Sequence, residues 1–300
     1  MDVLRTPDSA FEDLEGYPFA PRYVEVDDGD GGRLRIHHVD EGSGPTVLLM
    51  HGEPSWSYLY RSVIPILVDT GFRVLAPDLV GFGRSDKPLA QTDYTYARHV
   101  GWMQRWLEAV DADRLTLFAQ DWGGLIGLRL IAADPDRFAA VVVSNTGLPT
   151  GDQQMPDAFL RWREFSRTSE AFDVGRIVDG GTVTGLGDRT LDAYRAPFPD
   201  ARFLAGARIF PSLVPITHDD PEASAQRGAW EVLRTWSKPF LTAFSDSDPI
   251  TAGTDRVFQS VIPGAVGVPH RTIEGAGHFL QEDNPHAVAA AVSDAVALID

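Results

Sequence analysis

The chain has 300 residues and 43% of them are hydrophobic, enough to bury one large core. A formal net charge of −17 repels phosphate backbones, so nucleic acid is not an expected partner, and the acidity reads as solubility. The absence of cysteine excludes disulfides, thiolate metal sites and a thiol nucleophile.

In chain order, the opening MDVLRTPDSAF lacks the basic start and apolar run of a signal peptide. No apolar stretch reaches the roughly 20 residues that cross a bilayer, so a soluble, cytoplasmic protein without a membrane partner is expected. Arg22–Val26 and Leu34–Val39 read as two strands joined by the Gly/Asp-rich turn Asp27–Gly32. Thr46–Met50 is apolar on both faces, as a buried parallel strand requires. Helical patterning follows from Ser57 to Thr70, then a strand over Phe72–Pro77 and a helix over Tyr94–Val110, in which Trp102 and Trp106 share an inward face. Next come a strand over Leu115–Ala119, a helix over Trp122–Ala133 and an apolar strand over Ala140–Ser144.

After Pro149 the rhythm changes. From Gly151 to Leu213 the sequence carries helical stretches broken by Gly and Pro, with no buried-strand pattern. Alternation then resumes: a helix over Ala223–Trp236 with Asp220 as N-cap and Pro221 at its first position, strands over Phe240–Phe244 and Arg271–Ile273, and a closing helix over Pro285–Leu298. Strand–helix alternation predicts an α/β fold with a mostly parallel sheet covered on both faces. The insertion after the sixth strand predicts a helical cap over the carboxyl edge of the sheet, where such sheets bind ligands. The expected division is a core of residues 1–147 and 217–300 with a cap of residues 148–216.

The most informative stretch is LFAQDWGGL, residues 117–125. A strand ends, a sharp turn follows and a helix begins, with small residues Ala119 and Gly123 two positions either side of Asp121. This is the pattern of a nucleophile elbow, here presenting aspartate. The plain alternative is that Asp121 only caps the following helix. Two further elements bear on that choice. FLTAFSDSDP, residues 240–249, is an apolar strand ending in acids, and EGAGHF, residues 274–279, carries a histidine in a small-residue loop after the last strand. The order nucleophile, acid, histidine is that of an α/β-hydrolase triad, giving Asp121, Asp248 and His278. Asp248 is preferred to Asp246 by alignment to that motif rather than on physical grounds. HGEP, residues 51–54, stands where an oxyanion loop belongs, so the backbone N–H groups of Glu53 and Trp122 are the expected oxyanion donors, and the His51 ring is read as structural.

HGEPSWSYLYR (51–61), APDLVGFGRSDKP (76–88), QDWGGLIGLR (120–129) and GAGHFLQED (275–283) closely resemble the haloalkane dehalogenases, in the subfamily with HGEP rather than HGNP. The resemblance runs through almost the whole chain. It implies an α/β-hydrolase fold with an eight-stranded sheet and a helical cap, and no cofactor or metal. It implies Trp162 as a second halide-holding residue beside Trp122, and Phe159, Phe210 and Pro211 as pocket walls. The implied partners are a small haloalkane, water and halide, with the chain a monomer or small homo-oligomer.

The chemistry accounts for these residue types. Displacing halide from a saturated carbon needs a nucleophile, and a carboxylate is already ionised at neutral pH. The leaving halide must be met by positioned donors, and indole N–H groups carried on apolar bodies suit a dry pocket. Water activated by His278, with Asp248 orienting the ring, would then hydrolyse the ester on Asp121. Rival readings are an epoxide hydrolase, a fluoroacetate dehalogenase and a non-catalytic binding member of the fold. An epoxide hydrolase resembling its family would need two cap tyrosines, whereas residues 148–216 hold only Tyr194. A fluoroacetate dehalogenase would place arginine where Trp122 stands. Aspartate at the elbow excludes a serine esterase.

Overall fold

Runs of branched and aromatic residues that are apolar on both faces build the centre of the sheet, because a strand covered on both sides has no solvent face to make polar. A computed structural model describes residues 1–299. Its strands are β1 (Arg22–Asp27), β2 (Arg33–Gly42), β3 (Thr46–Met50), β4 (Arg73–Pro77), β5 (Leu115–Gln120), β6 (Phe138–Ser144), β7 (Phe240–Ser245) and β8 (Arg271–Ile273). They form one eight-stranded sheet in the order β8-β7-β6-β5-β3-β4-β2-β1. From β8 through β4 every neighbour is parallel, while β2 runs antiparallel to both β4 and β1. The fold is therefore the expected α/β architecture. Val3–Leu4 and Lys87–Pro88 add a two-stranded antiparallel pair that no sequence pattern announces.

The helices are α1 (Val63–Asp69), α2 (Tyr96–Val110), α3 (Trp122–Ala133), α4 (Asp157–Thr168), α5 (Val174–Gly180), α6 (Asp188–Arg195), α7 (Ala205–Leu213), α8 (Ala223–Leu233), α9 (Thr254–Val261), α10 (Leu280–Asp283) and α11 (Pro285–Ala297). Trp102 and Trp106 on α2 are buried, as their spacing requires.

Three expectations are corrected. The helix expected from Ser57 is a 3-10 turn over Ser57–Tyr60 followed by α1. Pro65 accounts for the break: it has no N–H for the carbonyl four residues back, and it is accommodated in the first turn of α1, where that N–H has no helical partner to meet. The helix expected over Ala223–Trp236 ends at Leu233, where tight bonds from Thr235 N to Val232 O and Trp236 N to Leu233 O close it. Its N-cap is Glu222; Asp220 instead accepts from Glu222 N at 3.1 Å and so shapes the preceding turn. Among the described residues no helix is long and apolar enough to cross a membrane.

Candidate active site

Asp121 sits between β5 and α3 with φ 51° and ψ −123°, a conformation costly for a residue with a side chain. The surroundings impose it. Asp121 N donates to Asn145 O at 3.1 Å, and Asp121 O accepts from Gly124 N and Leu125 N in α3 and from Thr146 Oγ1 at 2.7 Å. Such a tight turn needs the next residues pressed against the neighbouring strand: a Cβ at Gly123 would stand 2.1 Å from Met50 O. The Asp121 carboxyl thereby projects over the carboxyl edge of the sheet, where Glu53 N donates to its Oδ1 at 2.7 Å. Trp122 contributes the first amide of α3, which has no intrahelical carbonyl to meet.

His278 follows β8 and is buried. Its Nε2 faces Asp121 Oδ2 at 3.7 Å, and its Nδ1 faces Asp248 Oδ2 at 3.0 Å. Asp248 also accepts from Ile250 N at 2.9 Å and Thr251 Oγ1 at 2.5 Å. Burial raises the Asp248 carboxyl, but the His278 cation and these hydrogen bonds outweigh it and bring it down to about 2. Burial lowers the His278 imidazole, yet the charge of Asp248, the nearby Asp121 carboxylate and the hydrogen bond to Asp248 push it up to about 10. Asp246 is exposed and does not reach the ring; its carboxylate holds the His278 loop by accepting from Gly275 N at 2.9 Å and Ala276 N at 3.3 Å.

Three side chains at this centre went unassigned from the sequence. Gln120, fully buried, places Nε2 3.0 Å from His278 Nε2 and donates to His278 O at 3.2 Å. Burial pushes the Glu53 carboxyl well above the usual carboxylate range, Asp121 adds to this, and His278 and the neighbouring Trp162 indole only partly oppose it. Burial beside Asp121 thus disfavours a charge on Glu53. Asp283 at the end of α10 accepts from Gly277 N at 2.9 Å and also from Val183 N at 3.0 Å, Thr184 N at 2.8 Å and Thr184 Oγ1 at 2.7 Å. Together with Phe279 N donating to Gly181 O at 3.1 Å, it stitches the His278 loop to the segment after α5.

A cavity of about 810 Å³ lies over these groups. Asp121, Trp122, Glu53 and His278 form its floor, and Leu148, Phe159, Trp162, Pro211, Val214 and Trp230 are among its mainly apolar walls. Trp122 packs edge-on to Tyr96 at 5.0 Å between ring centroids and tilts against Phe210 at 4.6 Å. Trp122, held by these two rings, is itself part of the cavity lining. Phe210 is therefore not a wall, as expected from the sequence, but a fully buried support behind Trp122. Tyr194 is also fully buried, bonded to Glu282, and no tyrosine lines the cavity among the described residues.

Sheet, elbow and covering helices define an α/β-hydrolase, and a family model described as the alpha/beta hydrolase fold matches residues 45–285. Among curated proteins, the chain is 56% identical to a haloalkane dehalogenase of Psychrobacter cryohalolentis, over 96% of each chain. It is 52% identical to one of Mycobacterium marinum, over 95% of this chain and 96% of that one. Among solved structures, it is similar to a tetrameric haloalkane dehalogenase of Paraglaciecola agarilytica, with TM-score 0.89, 35% identity and 98% of each chain covered. The chain belongs to the haloalkane dehalogenases of the α/β-hydrolase family.

Proposed function

We propose that this enzyme hydrolyses carbon–halogen bonds of small haloalkanes through an ester on Asp121, with His278 as base and Asp248 as its supporting acid. The observation that carries the reading is Asp121 Oδ1 held by Glu53 N at 2.7 Å while Oδ2 remains open to the cavity and to His278. Oδ2 attacks the halogen-bearing carbon; a C–O bond forms as the carbon–halogen bond breaks, and halide leaves with the bonding pair toward the Trp122 and Trp162 indoles. The ester carbonyl oxygen is then Oδ1, already at the Glu53 donor. Water attacks the ester carbon and gives a proton to His278 Nε2, while the carbonyl pair moves onto Oδ1 as an oxyanion met by Glu53 and Trp122 N–H. Collapse expels the alkyl oxygen, which takes the proton from His278 and leaves as alcohol; the remaining carboxyl proton goes to solvent.

Esterification also adjusts the base. It removes the Asp121 charge that helps hold His278 protonated, so the imidazole becomes more readily neutral when a base is needed. Residues 148–216, carrying α4 to α7, act as the cap, with Phe159 and Pro211 shaping the pocket. A small homo-oligomer is supported by the tetrameric relative. The epoxide reading lacks a tyrosine on the cavity to protonate the opening oxygen.

Halide and alcohol release from a panel of terminal bromoalkanes, with one epoxide as control, tests this reading. Stoichiometric halide and alcohol from the bromides and no diol from the epoxide are expected. Diol formation without halide release would overturn it.

A further inference from the structure

The carbonyl of Gly52 is unusually loaded. It lies 2.9 Å from Nδ1 of His51, 2.8 Å from Oγ of Ser55 and 3.0 Å from the backbone N of Ser55. Both side chains are fully buried. This carbonyl belongs to the same peptide unit as the Glu53 N–H that donates to Asp121 Oδ1. Because a peptide is planar, whatever fixes its oxygen also aims its N–H. Donors on the oxygen polarise the amide as well, and a polarised amide is the stronger donor.

The tautomer of His51 follows from its two contacts. Leu79 N donates to His51 Nε2 at 2.9 Å, so the ring proton is on Nδ1 and is given to the Gly52 carbonyl. Burial lowers the His51 pKa, though Asp78 opposes this, and the ring stays neutral and able to play both parts. His51 thus ties the loop after β3 to the loop after β4. The Gly52 side of the peptide has no room to adjust: a Cβ there would stand 2.4 Å from the Asp121 side chain.

We propose that His51 and Ser55 are positioning residues for ester hydrolysis, acting through the Gly52–Glu53 peptide to aim and strengthen the oxyanion donor. This rests on Asp121 being the alkylated residue. The inference is directional. Negative charge on Oδ1 falls when the carboxylate becomes an ester and rises again when water attacks it. Weakening the Glu53 donor therefore leaves displacement unharmed and slows hydrolysis.

Rapid-quench measurement of halide release from 1-bromobutane separates the two steps, with intact mass following the butyl-enzyme. His51→Gln offers an acceptor to Leu79 N but removes the donor to Gly52 O; Ser55→Ala removes the second side-chain donor alone. Both are expected to release the first halide at the wild-type rate and then turn over more slowly, the burst rising toward one halide per enzyme as butyl-enzyme accumulates. The slowing is about tenfold for His51→Gln, below the full loss of an oxyanion donor, and smaller for Ser55→Ala. His51→Asn, which returns a donor near the Nδ1 position, is expected to recover most of the rate. If His51→Gln does not fold, Ser55→Ala carries the test with the same signature. An unchanged ratio of burst to steady-state rate, or a burst that shrinks in proportion to turnover, overturns the inference. Wild-type enzyme that never alkylates Asp121 overturns the underlying reading instead.

Discussion

Oδ2 of Asp248 lies 3.0 Å from Nδ1 of His278, thirty positions along the chain, and the pair is buried at the edge of the sheet. This contact holds the ring so that its other nitrogen faces Asp121 Oδ2 at 3.7 Å. His278→Ala retains a nucleophile but no base, so it alkylates itself once and stalls. One halide per enzyme is expected after incubation with 1-bromobutane, and peptide mapping should find a single butyl group on Asp121. Steady turnover by the variant, or an adduct elsewhere, would remove His278 and Asp121 from these roles.

The same pair sets a pH dependence of stability. Asp248 is lowered to about 2 and His278 raised to about 10. The Asp248 contribution is present above the unfolded carboxylate pKa and is lost as pH falls toward 2; that of His278 is present below its unfolded pKa and is lost as pH rises through about 10. The Tm gap between wild type and Asp248→Asn is therefore greatest between about pH 4 and 6.5 and narrows on either side. Breaking a buried pair makes that gap about 5–10 °C at its widest. A gap independent of pH would mean that the pair is not ionised in the folded enzyme.

The two acids after β7 should separate in function. Asp248→Ala removes the ring's partner and is expected to lower turnover by about 10³-fold or more. Asp246→Ala loses bonds to Gly275 N and Ala276 N that only support the loop, so most activity should remain. Comparable losses in steady-state assays would undo the distinction.

Trp162→Phe keeps the ring in its stack with Phe165, centroids 5.7 Å apart, but deletes the indole N–H. Halide binding should weaken and carbon–halogen cleavage slow by about 2–4 kcal/mol in barrier, with Tm little changed. Stopped-flow kinetics and halide quenching of tryptophan fluorescence measure both, and unchanged values would assign the second donor elsewhere.

At the elbow, Gly123→Ala would drive a Cβ to within 2.1 Å of the Met50 carbonyl, a backbone atom that cannot yield cheaply. Overpacking of this kind costs about 1–3 kcal/mol or more, and chemical denaturation should show at least that loss. A variant of wild-type stability and activity would mean that the strand ends can separate freely.

The proposed nucleophile and acid are readable in the sequence because each follows a buried strand whose apolar run marks its end, whereas the proposed base is marked only by its small-residue loop after the short, half-exposed last strand. Roles that pass through the backbone are not readable in this way. His51 carries no sign that its ring loads the Gly52 carbonyl, since that depends on Leu79 arriving from the next strand. Glu53 looks like a surface carboxylate until the cavity floor is assembled around it. Phe210 has the right residue type for a wall, and only the packing of α7 puts it behind Trp122. The helix Thr254–Val261 goes unannounced because it is only eight residues long and starts at Gly253 with no side-chain cap to signal it.

Asp283 gathers four donors, one from the loop of the base and three from residues 183 and 184. On that flank the covering helices and the base form one mechanical unit, and any parting there would carry the imidazole away from the elbow. Gln154, Phe165 and Val257 also line the cavity and face solvent without any tie to Asp283, so traffic of haloalkane inward and of halide and alcohol outward is better served there. The enzyme can then exchange its contents while its proton-handling machinery stays assembled from one turnover to the next.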